Sequence, residues 1–214
     1  MNAPLEARQS TLPGRRGWPT PAALLALSAI PLAAGTLRLV QLAGGPALIP
    51  ADERFASFPL ALTLHIVGAA LYAVVGSFQF VPRIRRNHRA WHRRAGRVVA
   101  AAGLLVAGSA LWMTLFYARQ PGTGELLYVL RLVFSSTMAV GLVLAIRAIR
   151  RGDVANHRAW MIRTYAIGLA AGTQAFTEAI GDAAIGPDLA KAAGWVINLA
   201  VAEWAIRRVP KEAA

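Results

Sequence analysis

The sequence predicts an all-α membrane protein, a polytopic bundle of six transmembrane helices with a parallel internal repeat. Three observations predict this class. Of the 214 residues, 56% are apolar and only 15% are charged, whereas a soluble domain carries about a quarter charged residues. The apolar residues form long stretches, each close to the roughly 20 residues that a bilayer-crossing helix needs. An eight-residue motif also recurs at corresponding places in two predicted helical hairpins.

Each predicted span is an apolar stretch bounded by charge, proline or glycine. The first follows Arg15 and Arg16 and carries Pro31 near its middle, where we expect a kink. The second and third flank an arginine-rich turn, the fourth ends before another, the fifth begins at the recurring motif, and the sixth ends before Arg207. The predicted spans are 21–42, 58–81, 95–116, 126–146, 160–180 and 189–206.

We expect residues 18–208 to form one transmembrane domain, with short polar tails at 1–17 and 209–214. The first stretch has a second interpretation, because a basic start followed by apolar residues and small residues near Ala34 is also typical of a cleaved secretory signal. Its apolar run continues to Leu42, longer than a usual signal core, which favours a retained span. Cleavage stays an open alternative.

The basic residues are distributed unevenly between the two ends of the predicted bundle. Eighteen of the 23 lysines and arginines fall on the side that holds both tails and the two arginine-rich turns. Trp18, Trp91, Trp160 and Trp204 lie at the same predicted boundary, where indole rings prefer the headgroup level. The positive-inside rule therefore places both tails in the cytoplasm of a bacterial inner-membrane protein.

The absence of cysteine excludes disulfides, thiolate nucleophiles, iron–sulfur clusters and Cys-ligated zinc. The zinc signature HExxH fails as well, since Arg89 follows His88 where the signature needs glutamate. We expect no metal site. Nucleic acid is excluded as a partner because the charge is accompanied by no recognised binding module and no stacking aromatic residues. Membrane lipids are the expected partners, and the oligomeric state is left open.

The motif occupies residues 87–94 and again 156–163, with six of eight positions identical at an offset of 69. Each copy follows a basic turn and opens a span that runs in the same direction. Spans 2–3 and 4–5 are therefore predicted to be a parallel repeat, related by an axis along the membrane normal. Its core is expected to cover residues 58–180.

Several stretches in this core resemble a known family: 64–68, 78–80, 92–97, 150–153 and 157–166. Their residues, among them His65, Gln79, His92 and His157, are similar to those of the predicted bacterial membrane proteins grouped as domain-of-unknown-function family 2306. The resemblance covers about residues 58–180. It implies a polytopic layout and no established activity.

A polar cluster is predicted near the outer leaflet, because ionisable residues inside a span are costly and mark candidate functional sites. With a rise of about 1.5 Å per residue, its members reach a similar depth on spans 1, 2, 4 and 5. Gln174 and Glu178 are four residues apart and share a helix face. The cluster consists of Arg38, His65, Arg131, Gln174 and Glu178.

Two interpretations of this cluster stay open. It forms a water-accessible ligand pocket, or the arginines extend to the interface and Glu178 pairs with Arg38 or Arg131. His65 could carry protons or act as an axial metal ligand. Alternatively, it has a structural role and its ring N–H donates to a backbone carbonyl.

The recurring motif also has two interpretations. The first is a helix-start device that contacts lipid headgroups, using His88, Arg89, Trp91, His157, Arg158 and Trp160. The second is a b-type haem held by His88 with His157, or by His92 with Met161, since the repeat places these pairs opposite one another. The depth of these residues, at the membrane surface, argues against haem.

The sequence thus leaves two function classes. The favoured one is a protein that binds or transports a small molecule or lipid, or serves as an accessory subunit. The alternative is a haem-containing or quinone-linked electron-transfer protein. Whether the protein is an enzyme is left open.

Overall fold

A computed structural model describes residues 18–208, and this part of the chain is almost entirely helical, which confirms the all-α class. The predicted tails at 1–17 and 209–214 lie outside the described residues. The α-helices are α1 Pro19–Leu42, α2 Leu60–Gln79, α3 Pro82–Asn87, α4 Arg89–Phe116, α5 Glu125–Arg150, α6 Val154–Gly168, α7 Ala170–Ile185 and α8 Pro187–Arg207. A short 3-10 helix, Glu53–Phe55, lies between α1 and α2.

Five of these helices are long and apolar enough to cross a membrane, namely α1, α2, α4, α5 and α8. They match five of the predicted spans. The remaining span, 160–180, was predicted as one uninterrupted helix, but the structure divides it into α6 and α7 at Leu169, whose φ and ψ are −86° and 0°. Gly168 and Gly172 flank the break, and glycine has low helix propensity.

The helices run between two ends of the bundle. The loop end contains the loops 43–59 and 117–124 and the turn at Gly186. There the Tyr117 hydroxyl donates to the Phe58 carbonyl at 2.5 Å. The basic end contains the connection 81–88, which includes the short helix α3, and the turn 151–153. There His157 Nδ1 lies 3.0 Å from the Ala145 carbonyl oxygen.

Tyrosine side chains fill the centre of the bundle between α2, α4, α5 and α6. Tyr72 is 1% exposed, and its ring packs 5.3 Å from the ring of Tyr165. The Tyr165 hydroxyl donates to the Ala73 carbonyl at 2.7 Å. A Cβ at Gly76 would lie 2.3 Å from the Tyr165 ring. Only glycine therefore lets α2 approach α6 this closely.

α7 packs chiefly against α8 and α1. Polar contacts fasten it to α8: the Thr173 hydroxyl donates to Asn198 Oδ1 at 2.6 Å, and Gln174 Nε2 donates to the Lys191 carbonyl at 2.9 Å. On the α1 side, a Cβ at Gly172 would lie 2.2 Å from the Leu27 carbonyl oxygen. The break at Leu169 thus lets α7 pack against α8 and α1 while α6 stays against α5.

The two copies of the repeated motif sit differently on their helices. In the first copy His88 is the residue that precedes α4. In the second, Asp153 precedes α6 and its carboxylate accepts the Asn156 N–H at 3.0 Å. His157 therefore lies about one turn deeper in its helix than His88.

Candidate functional site

A cavity of about 510 Å³ lies between α1, α2, α4, α5 and α7 in the half of the bundle nearest the loop end. Four of the five residues of the predicted polar cluster line it: Arg38, His65, Arg131 and Gln174. The helices α1, α2, α5 and α7 each contribute one of these residues to the cavity. Glu178 is not part of the lining.

The loops add polar residues that the cluster did not include. Asp52 and Arg54 come from the loop between α1 and α2, and Arg119 comes from the loop before α5. Sequence reasoning concentrated on ionisable residues inside spans and so missed them. The available signal was the Asp52–Arg54 spacing, in which the aspartate precedes a short turn and accepts from the backbone N–H two residues on.

The opposite wall of the cavity is apolar. Phe134 and Trp195 stack with their ring centroids 4.7 Å apart and their planes 18° apart. Phe134, Trp195, Ile66, Val106 and Met138 all belong to the lining. The cavity thus combines charged groups at the loop end, among them Asp52, Arg54 and Arg119, with aromatic and aliphatic groups toward the centre of the bundle.

Arg38 ties the first loop to α1. Its guanidinium donates to Gln41 Oε1 at 2.7 Å and to the Pro50 carbonyl at 2.9 Å. Both acceptors are neutral oxygens. Among the described residues, Arg38 forms no ion pair.

Arg131 projects from α5 into the same cavity and is half-buried. Its Nη2 donates to Gln120 Oε1 at 3.2 Å. Asp188, Glu178 and Arg54 are close enough to act on its charge. None of the carboxylates in the described part of the chain forms an ion pair with it.

The predicted pairing of Glu178 with Arg38 or Arg131 is wrong. Glu178 Oε2 instead accepts from Lys191 Nζ at 2.7 Å. Lys191, on α8, is buried with 9% of its surface exposed. The reason is the orientation of α7, which packs against α8 and so directs Glu178 toward that helix.

His65 forms the backbone contact that the structural interpretation anticipated. Its Nδ1 lies 3.2 Å from the Val106 carbonyl oxygen and 3.1 Å from Ser109 Oγ. Ser109 itself donates to the Leu105 carbonyl at 2.6 Å. These contacts join α2 to α4 beside the cavity.

Asp52 and Arg54 form a compact ion pair in the first loop. Arg54 Nη2 lies 2.5 Å from Asp52 Oδ2, and Arg54 Nε lies 2.8 Å from Asp52 Oδ1. The hydrogen bonds from Arg54 lower the pKa of Asp52 more than burial raises it, so this pKa lies below its usual value. Asp52 is therefore a carboxylate at neutral pH.

At the basic end the motif residues are spread over several surfaces. Arg89 and Trp91 are exposed on α4, as is His88 before it. Arg158 donates to the Ala205 carbonyl on α8 at 3.3 Å, and Trp160 carries the Arg163 guanidinium 5.2 Å above its ring. The second copy thus makes internal contacts that the first does not.

The histidines are arranged differently from the pairs that the repeat suggested. His92, half-buried on α4, has His157 among the titratable groups close to it. The Nδ1 atom of His92 is buried and has no hydrogen-bond partner among the described residues. Met161 packs against the hydrophobic core. Within residues 18–208, no group of three or more metal-ligating side chains comes together.

The family described as predicted membrane protein (DUF2306) matches residues 62–206. The chain belongs to this family. The match begins within α2 and ends within α8, so it includes both motif copies and four of the five cluster residues but not Arg38 on α1. No curated protein and no solved structure matches the sequence.

Proposed function

We propose that this member of the DUF2306 family binds a small molecule in the cavity at its loop end. The single observation that carries the proposal is the cavity itself, with a volume of about 510 Å³ and a lining of charged groups above apolar ones. Small-molecule sites in proteins are typically concave, of about 300–1,000 Å³, and mostly apolar with a few placed polar groups.

A membrane orientation goes with this proposal. We infer that α6 and α7 together make one crossing, which gives six crossings in all. Their combined path supports this, since α6 begins beside the end of α5 and α7 ends beside the start of α8. The arginine-rich turns then face the cytoplasm of a bacterial inner membrane, and the cavity opens on the opposite side.

The basic end is proposed to contact acidic lipid headgroups. The exposed His88, Arg89 and Trp91 on the first motif copy support this role. Cations near a membrane surface contribute about 1 kcal/mol each toward an acidic leaflet. The second copy has a more internal role, through Arg158, His157 and Trp160.

The proposed function can be tested with a thiol introduced into the cavity, since the chain has no native cysteine. Ser135 lines the cavity, whereas its neighbour Ser136 is exposed on α5. We expect N-ethylmaleimide to label purified Ser135→Cys, and octanol, octanoate or octyltrimethylammonium to slow that labelling. Labelling of the control Ser136→Cys should not respond. Labelling of Ser135→Cys that no octyl compound slows would contradict the proposal.

A haem-containing or quinone-linked electron-transfer protein is the second candidate function. One observation favours it: His92 lies near His157, and its buried Nδ1 atom has no hydrogen-bond partner among the described residues. Neutral imidazole nitrogen is a common axial ligand of haem iron. On this hypothesis His92 and His157, rather than His88 and His157, would hold the group.

An absorption spectrum of the purified protein tests this second candidate. Haem binding predicts a Soret band that shifts on reduction and is lost in His92→Ala or His157→Ala. The exposed His88 provides the control, since His88→Ala should keep the band. A colourless protein from cells supplied with haem precursor would contradict haem binding.

A further inference from the structure

The charges around the cavity do not balance. Four arginines and one aspartate line it: Arg38, Arg54, Arg119, Arg131 and Asp52. Asp52 pairs with Arg54, and Arg119 pairs at 2.5 Å with Glu125, which lies outside the lining. Two guanidinium groups, those of Arg38 and Arg131, therefore have no ion-pair partner within the described residues.

The carboxylates nearest to Arg131 are committed to other contacts. Glu178 pairs with Lys191 at 2.7 Å. Asp188 accepts the N–H groups of Gly124, at 3.0 Å, and Leu127, at 3.1 Å, at the start of α5. Neither carboxylate lies within ion-pair distance of Arg131.

Arg131 also retains most of its hydrogen-bonding capacity. A guanidinium carries five N–H donors, and the contact it makes with a described residue is the bond to Gln120 at 3.2 Å. Arg54 is close enough to repel it. An anion between these groups would relieve that repulsion, and carboxylates and phosphates fit the guanidinium fork with two parallel hydrogen bonds.

The apolar wall continues from Arg131 along the same helix. Phe134 and Met138 follow Arg131 by three and seven residues, so all three share one face of α5. Trp195 of α8 stacks on Phe134. A ligand whose charged group reaches Arg131 would therefore extend an attached alkyl chain over Phe134 and Trp195.

We propose that the ligand of this cavity is an amphipathic anion. Its carboxylate or phosphate binds Arg131, and its hydrocarbon part packs on Phe134, Met138 and Trp195. This inference rests on the proposed function and adds the chemical class of the ligand. The same chemistry is found in a membrane lipid and in a free short-chain acid or phosphate ester.

Quenching of Trp195 fluorescence tests the inference directly. Full-length protein in a maltoside detergent is titrated with 8-bromooctanoate, whose bromine quenches a nearby indole. The Trp195→Phe variant measures how much 8-bromooctanoate quenches the other tryptophans. We expect saturable quenching that is present in the wild type and missing from Trp195→Phe. Octanoate and octyl phosphate should reverse it, whereas octyltrimethylammonium should not.

Variants on α5 separate the charged contact from general binding. Hydrogen bonds to charged groups contribute about 1.5–3 kcal/mol, so Arg131→Gln should weaken 8-bromooctanoate binding about 10- to 100-fold. Arg131→Lys keeps the positive charge but loses the guanidinium fork, so its affinity should lie between those of the wild type and Arg131→Gln. Arg147→Gln, an exposed site at the other end of α5, is the matched control and should bind like the wild type.

The outcomes distinguish this inference from the proposed function. If octanol and octyltrimethylammonium compete as well as octanoate, and Arg131→Gln binds normally, the cavity binds ligands but the anionic class is overturned. If no octyl compound reaches Trp195, both proposals fail. Competition by phosphatidate in mixed micelles would assign the ligand to membrane lipids. Competition by octanoate and octyl phosphate without phosphatidate would assign it to soluble anions.

Discussion

The charged side chains within this bundle differ in whether a carboxylate neutralises them. Lys191 with Glu178 and Arg163 with Glu203 are close ion pairs, at 2.7 and 2.5 Å. Arg131 is hydrogen-bonded to a neutral amide oxygen instead. Removing one partner of a buried pair leaves an uncompensated charge, whereas removing a cation that has no pair does not. Substitutions at the two kinds of site should therefore have different effects on stability.

Glu178→Gln should destabilise the protein, because it leaves the buried Lys191 ammonium without its carboxylate. Breaking a fully buried pair costs about 3–5 kcal/mol. The Glu178 side chain is 33% exposed, which reduces the expected cost to about 1–3 kcal/mol. Thermal unfolding in detergent measures it. The double variant Glu178→Gln/Lys191→Met should recover most of the loss, and an unchanged Tm for Glu178→Gln would contradict the pairing.

Arg131→Gln should leave the Tm of the ligand-free protein unchanged or raise it. The substitution removes a half-buried charge that has no ion-pair partner among the described residues, and with it the cost of burying that charge. It also removes the repulsion from Arg54 and the smaller attractions to Asp188 and Glu178. The same unfolding measurement compares it with Glu178→Gln. A loss of stability as large as that of Glu178→Gln would show that Arg131 has a structural ion partner.

Asp52 should contribute its full stability above about pH 4 and progressively less at lower pH. Its pKa is depressed in the folded protein by the bonds from Arg54, while an unfolded aspartate has a pKa of about 3.9. A group with a depressed folded pKa stabilises the fold above its unfolded pKa and loses this effect as the pH falls through the folded value. Asp52→Asn should therefore lower the Tm more at pH 7 than at pH 3. Equal losses at both pH values would contradict this.

Part of the cavity lining could be predicted from the sequence. Arg38, His65, Arg131 and Gln174 could be selected because polar groups in apolar spans are costly, and all four line the cavity. The partner of Glu178 could not be selected. It depends on which way α7 faces, and that orientation is set by the break at Leu169 and by packing against α8, neither of which is indicated by a residue pattern around Glu178.

At the scale of elements, the division of the predicted fifth span shapes the bundle. α6 packs against α5, while α7 packs against α8 and α1. Gly172 allows α7 to approach the Leu27 backbone of α1. Ala170, Ala171 and Gln174 of α7 line the cavity. The position of α7 therefore determines the shape of the site.

Gly172→Ala should disturb this position. The added Cβ would lie 2.2 Å from the Leu27 carbonyl oxygen, a backbone atom that can move only if α1 moves. Overpacking of this kind costs about 1–3 kcal/mol. Gly108→Ala is the matched control, since its Cβ would meet no atom within 4 Å, and it should be neutral or stabilising by up to about 1 kcal/mol. If both variants melt alike, the close approach of α1 and α7 is contradicted.

Five of the six predicted spans correspond to single helices, because long apolar stretches between charged turns are a strong signal. The basic residues 89–94 proved to be the first turns of α4, since arginine is a good helix former. The break at Leu169 carries no comparable signal. Gly168 and Gly172 occur at a spacing that is also typical of continuous, closely packed membrane helices.

At the scale of the whole molecule, the two ends of the bundle have different chemistry. The basic end carries exposed arginines, with Arg85, Arg86, Arg150 and Arg151 in or beside its turns. The loop end carries the cavity and the acidic residues that pair with Arg54, Arg119 and Lys191. A single orientation in the membrane would therefore put lipid-binding charge on one side and ligand access on the other.

The measurement that tests this account most directly is labelling of single cysteines in intact bacterial cells with a membrane-impermeant maleimide. Ala47 lies in the first loop at the loop end, and Arg151 lies in a turn at the basic end; both are exposed. We expect Ala47→Cys and the cavity variant Ser135→Cys to be labelled in intact cells, and Arg151→Cys to be labelled only after the cells are lysed. Labelling of Arg151→Cys in intact cells, with Ala47→Cys protected, would contradict it.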